Sequence, residues 1–131
     1  MSHFVEGSFK SFVASYDFTV GGTVTAPTFL AVKLDTNGQI TPATSATDPL
    51  IIGVLYDLPK IGQNGNVRLR SAAGTTNIQL GATVAAGAAV TIDNTSRGIT
   101  TTTAGNQLMG TAIEAGIVGQ VIEMIPNDGK Y

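Results

Sequence analysis

The chain has no cysteine, no tryptophan and one histidine, and only 12% of its 131 residues are charged. Without cysteine, disulfides and thiolate metal sites are excluded. His3 stands almost at the first residue, a poor place for the base that activates a serine or cysteine nucleophile. Zinc ligands at workable spacing do not occur. No apolar run approaches the ~20 residues of a membrane-spanning helix. No charged n-region followed by an apolar h-region marks a signal peptide. The expectation is a product of cytoplasmic synthesis that needs no cofactor and no metal, has no membrane partner and is not an enzyme.

The shortage of charge has a second meaning. The charged fraction is about half the roughly 25% of ordinary soluble domains, while 43% of residues are hydrophobic and mean hydropathy is +0.23. Two surfaces fit: one coated with Thr, Ser, Asn and Ala, or one buried against other chains. A net charge of −2 gives no electrostatic footprint for nucleic acid. Among the seven basic residues only Arg68 and Arg70 are close. On a strand they share a face, which reads as a solvated strand face.

What the chain does contain is the same sentence twice. Leu50-Ile51-Ile52-Gly53-Val54-Leu55 is an apolar run broken by glycine, and Leu108-Met109-Gly110-Thr111-Ala112-Ile113 repeats it. Val32-Lys33-Leu34-Asp35 precedes the first, Val90-Thr91-Ile92-Asp93 the second. Asp35 to Gly53 is 18 residues and Asp93 to Gly110 is 17. After them the spacings diverge, Gly53 to Gly65 at 12 and Gly110 to Gly119 at 9, as loop-length variation would produce. The expected organisation is an N-terminal arm and first strand over residues 1–22, then a β-domain over 23–131 built from tandem units at about 23–70 and 81–125. Two units are too few for a solenoid. They suit a closed or nearly closed small barrel, in which pairing covers sticky edges. No stretch carries a sustained 3.6-residue stripe, so the fold class is all-β.

Within that frame, Phe12, Ala14, Tyr16 and Phe18 alternate as one face of the first strand. Residues 35–38 and 94–98 are hairpin turns, residues 42–49 a polar surface loop, and 50–56 the most buried strand. Residues 66–70 form an edge or half-exposed strand, and a short strand near 77–80 connects the units. Asp35 and Asp93 are equivalent by the repeat and could in principle face each other as a carboxylate pair. Their turn positions favour bonding to local amides instead. Phe4, Val5 and Phe9 are apolar residues with no evident partner. They dock on a neighbouring chain or pack with the first strand on their own core.

Several stretches, read in order, resemble the capsid cement (head decoration) proteins of tailed bacteriophages. They are Phe4-Val5-Glu6-Gly7, a Gly-x-x-Val leading into each unit, Ile51-Ile52-Gly53-Val54, residues 84–90 and residues 105–115. The likeness covers roughly residues 4–125; the loops at 42–49 and 57–62 are longer than the pattern. The resemblance implies a β-tulip or barrel on the outer surface of the virion, commonly a homotrimer, whose arm reaches onto the major capsid protein. The arm maps to about residues 1–12, and Phe4, Val5, Glu6, Gly7, Phe9 and Phe12 would form the capsid and subunit interface. Bridging capsid subunits would stabilise the expanded shell. The alternative is a carbohydrate- or receptor-binding head appendage using the polar loop near residues 41–48, although such sites stack ligands on aromatics and tryptophan is absent.

Overall fold

The computed structural model describes residues 9–19 and 29–131. Ten strands are formed: β1 (Phe9–Val13), β2 (Leu30–Leu34), β3 (Ile40–Pro42), β4 (Ile51–Leu55), β5 (Asn64–Leu69), β6 (Thr76–Gln79), β7 (Ala89–Ile92), β8 (Gly98–Thr100), β9 (Gly110–Ala112) and β10 (Val121–Pro126). No helix occurs among the described residues, so the fold is all-β. The strands make two five-stranded antiparallel sheets, ordered β1-β5-β4-β2-β3 and β6-β10-β9-β7-β8. Counted in fives, the two orders are the same. β1 therefore stands in the first sheet where β6 stands in the second.

Each sheet curls on itself. Beyond β1 the chain meets β3 through a parallel bridge, Ala14 to Ile40, and beyond β6 it meets β8 through Leu80 to Gly98. Each bridge joins the outer strands of a sheet at one end only, so the sheet curls without closing along its length. The same hydrogen bonds recur position for position. Ser15 N–H donates to the Ile40 carbonyl (3.0 Å) and Gly81 N–H to that of Gly98 (2.9 Å). Phe18 N–H donates to Pro59 and Val84 N–H to Gly116, both at 2.9 Å. Arg70 N–H donates to Ile52 (2.9 Å) and Asn127 N–H to Met109 (3.1 Å). Residues 50–70 thus superpose in role on 107–127, and residues 9–18 on 75–84.

This equivalence revises one sequence spacing. The partner of Gly119 is Gly62, not Gly65, because both adopt φ of 85° and both donate to the preceding strand, Gly62 N–H to Ala14 and Gly119 N–H to Leu80. The loops after Gly53 and Gly110 are equal in length, and residue 65 corresponds to the buried Ile122.

The two glycines of the repeated motif are dictated by close approach. A Cβ on Gly53 would lie 2.1 Å from the Arg68 carbonyl oxygen, and one on Gly110 2.3 Å from that of Ile125. Any side chain there would force β4 from β5, or β9 from β10.

Two buried clusters result. Ala14, Phe18, Val32, Ile40, Leu55 and Val67 fill the inside of the first curl. The second cluster contains Ile78, Leu80, Val84, Val90, Ile92, Met109, Ala112, Ile122 and Met124, joined by Ala31, Ala43, Ile51 and Val54 of the first repeat. Strand alternation explains the split. Val32 and Leu55 point into their own curl, while their neighbours Ala31 and Val54 point out of it and seal the second. The first sheet is buried on both faces at β2 and β4, which is why residues 51–55 read as apolar throughout.

Candidate interaction surfaces

Phe9 and Phe12 are the two proposed anchors within the described residues; Phe4, Val5, Glu6 and Gly7 lie outside them. Three positions apart on one strand, the two rings take opposite faces. Phe12 is half-buried against the first core with Ala14 and Phe18. Phe9 turns outward, 43% exposed. Its ring meets Tyr56 edge-to-face at 5.1 Å, Tyr56 meets Phe29 the same way at 4.8 Å, and the Arg68 guanidinium lies 5.1 Å over Phe9. This outer aromatic row is held from the second repeat: the Tyr56 hydroxyl accepts from Asn77 N–H at 2.8 Å and shares a 3.0 Å bond with the Thr76 hydroxyl. The two anchors are not one patch. Phe9 is the more exposed of the two, and Phe12 keeps a half-buried edge.

Arg68 and Arg70 depart from the expected solvated face. Arg68 donates to the carbonyls of Thr75 (2.6 Å) and Ala73 (2.7 Å). Arg70 is only 6% exposed and sits in the joint between repeats. It donates to the carbonyls of Ile51 and Leu108, each at 2.9 Å, to Gly129 at 3.0 Å, and to Gln107 Oε1 at 3.2 Å. Burial pulls its pKa down, with Asp128 opposing, yet guanidinium remains charged at any working pH. A planar fork of five donors suits several carbonyls converging from both repeats. Nothing in the local sequence marks this role, because the partners are backbone atoms distant along the chain.

The turn aspartates serve their own turns. Asp35 Oδ1 accepts from Asn37 N–H (2.8 Å) and Gln39 N–H (3.0 Å), and Asp93 Oδ1 from Thr95 N–H (2.8 Å) and Arg97 N–H (3.1 Å). Hydrogen bonds from Gln39 N–H first, then Ser15, hold the Asp35 carboxyl below the ordinary aspartate range. Oxygens committed this way are turn-formers. Among the described residues no three His, Cys, Asp or Glu side chains gather as a metal would require.

The surface that sequence reasoning passed over is at the β4–β5 and β9–β10 turns. Leu58 and Ile61 are exposed in one, Ile117 and Val118 in the other, with Ile61 at 68% and Ile117 at 58%. Each turn is rigidly tied. Gln63 Oε1 accepts from Lys60 N–H (2.9 Å) and Gln120 Oε1 from Ile117 N–H (3.0 Å). Beside the second turn an open apolar hollow is lined by Val84, Ala85, Ala115 and Ile117. The available signal was the presence of Ile and Val among turn residues that are ordinarily polar. Large apolar side chains on a fixed turn are a contact feature when grouped.

The chain matches no protein-family model and no curated protein. Among solved structures it is similar to the head fiber gp8.5 N base of bacteriophage phi29, with a TM-score of 0.65 and 18% identity over 94% of this chain and 96% of that one. The likeness therefore runs over nearly the whole of both chains, at an identity that speaks for the fold alone.

Proposed function

We propose that this chain is a structural protein of a tailed-phage head: a cement or decoration protein that binds the outer shell and stabilises it by bridging major capsid protein subunits. The observation that supports this most is the full-length likeness to a head fiber base. It agrees with the capsid-cement resemblance of the sequence, which was drawn from different features. Low charge and apolar residues on rigid turns suit a protein that spends its life against a larger protein surface.

The mechanism needs only binding. In this reading residues 1–8, which precede the outer strand β1 in the sequence, act as the arm. An extended arm can add main-chain hydrogen bonds at a capsid sheet edge while alternate side chains fill pockets. Self-association, as a homotrimer in this reading, engages several such arms at once, so weak single contacts become strong attachment.

Co-sedimentation of the purified protein with empty phage heads tests the proposal. Saturable binding is expected, with heads that resist heat or chaotrope better when coated. Deleting residues 1–8, which leaves β1 intact, should abolish binding while the melting temperature stays put. Heads that never pellet the full chain would sink the reading, and undiminished binding after the deletion would remove the arm from it.

A further inference from the structure

The contact between the two repeats is not symmetrical. The first repeat offers the outer face of its sheet, at β2 and β4. The second offers its open end, at β6 and the β7–β8 turn. Three main-chain donors mark the joint: Ala31 N–H to the Ser96 carbonyl (2.9 Å), Gln79 N–H to the Phe29 carbonyl (3.0 Å) and Asn77 N–H to the Tyr56 hydroxyl.

Because the repeats are equivalent, each half of that contact exists a second time. The outer face of the second sheet carries Ala89, Thr111, Ile113 and Ile125 where the first carries Ala31, Val54, Tyr56 and Arg68. Ile113 is 45% and Ile125 54% exposed. At the other end, Ser11 and Val13 of β1 stand where Asn77 and Gln79 stand, and the turn at Gly38 where Ser96 does. Core positions report the missing cover. Ile78 and Ile92 are 0% and 1% exposed, whereas their counterparts Phe12 and Leu34 remain half-buried among the described residues.

We propose that a second copy of this chain is the missing cover: the outer face of the second sheet in one molecule docks on the open end of the first repeat in the next, repeating the joint already made within the chain. In that arrangement the Val13 amide meets the Gly87 carbonyl, as Gln79 meets Phe29. The Gly38 carbonyl meets the Ala89 amide, as Ser96 meets Ala31. Such a head-to-tail contact uses different surfaces on the two molecules and closes only as a ring. The inference deepens the self-association of the proposed function by naming its surfaces, and head binding is measured separately.

The test uses the full chain and two exposed sites. Native mass spectrometry of the wild type should show a multiple of the 13.4 kDa chain. Ile125→Lys, on the docking face, and Val13→Lys, at the receiving edge, should each reduce it to monomer with circular dichroism unchanged. Ser11→Lys replaces the latter if Val13→Lys melts early. Mixed, the two variants should form a one-to-one pair and nothing larger, since one intact joint remains. A wild type that stays monomeric, folded variants that keep the wild-type mass, or a mixture that stays monomeric overturns the inference. A monomer that still pellets with heads overturns this joint alone, while an assembly indifferent to heads overturns the proposed function alone.

Discussion

The two repeats share a backbone plan and differ in what surrounds them. Position for position, Ile92 is sealed and Leu34 is half-open, Met109 is sealed and Ile52 is half-open. The second curl is covered by its sister; the first, among the described residues, is not. The side chains follow suit. At the joint the first sheet carries Tyr56 and Arg70, which reach across to the second repeat. The second sheet has Ile113 and Asn127 at those places. Two halves with one backbone plan thus form a directional pair, one half shaped as cover and the other as receiver.

The deepest way to break the comparison is at what the halves still share. Gly53→Ala and Gly110→Ala each drive a methyl into a backbone carbonyl, and backbone cannot step aside as a side chain can. Each should cost about 4 kcal/mol or more, with Gly53→Ala the worse because β4 lies in both clusters. Urea denaturation monitored by circular dichroism would check it. Equal tolerance of alanine at both would mean the strands are not held where the structure places them.

Next comes the residue the halves do not share. Arg70→Met keeps volume but strands the carbonyls of Ile51, Leu108 and Gly129 without their donor. A loss of roughly 2–4 kcal/mol is expected. Because the damage lies at the joint, amide exchange should rise first in residues flanking it, at 51–52 and 107–109, before either curl opens.

Those two predictions also show what the sequence could and could not say. Duplication was legible because a strand that tolerates only glycine at one point keeps that letter, and because Asx turns need Asp35 and Asp93. The strand order within each unit was partly hidden: β1 and β6 are equivalent in place, yet Phe9-Lys10-Ser11-Phe12-Val13 and Thr75-Thr76-Asn77-Ile78-Gln79 share almost no letters. The spacing from Gly53 to Gly65 pairs the wrong glycine with Gly119, since spacing alone cannot tell that Gly62 is the one with positive φ. The polar loop at 42–49 conceals the buried Ala43. Its carbonyl accepts from the Ser96 hydroxyl at 2.6 Å, a contact visible only once the repeats are docked. Composition registers polarity, not where a small residue permits close approach.

A smaller effect follows pH. Asp17 and Asp35, both in the first repeat, have carboxyls held below the ordinary range by hydrogen bonds, from the Thr19 side chain and backbone for Asp17 and from Gln39 N–H and then Ser15 for Asp35. Burial pushes the nearby Asp48 upward, but Lys33 and Leu50 N–H outweigh it and the net shift is downward. A folded pKa below the unfolded value of about 3.9 means stability present above that value and lost as pH falls through the folded one. Urea midpoints should therefore drop on going below pH ~4, and Asp35→Asn should flatten the dependence. An unchanged slope in that variant would show that Asp35 is not one of the groups responsible.

The finest distinction is between two turns of identical geometry and different residues. Gly38 and Ser96 occupy the same place in their hairpins, with φ of 73° and 68°. Gly38 has open space around its missing side chain, so Gly38→Ala should cost only the left-handed backbone penalty, about 1 kcal/mol. Ser96 already bears that penalty, and its hydroxyl bond to Ala43 offsets it. Ser96→Gly relieves the one and removes the other, which is worth about 1 kcal/mol in its own right, so its net effect should be close to zero. Ser96→Ala keeps the strain and loses the bond, and should fall below both wild type and Ser96→Gly. If Ser96→Gly instead proved clearly stabilising, the hydroxyl would contribute nothing to the joint, and the directional contact between the repeats would rest on Arg70, Tyr56 and main-chain bonds alone.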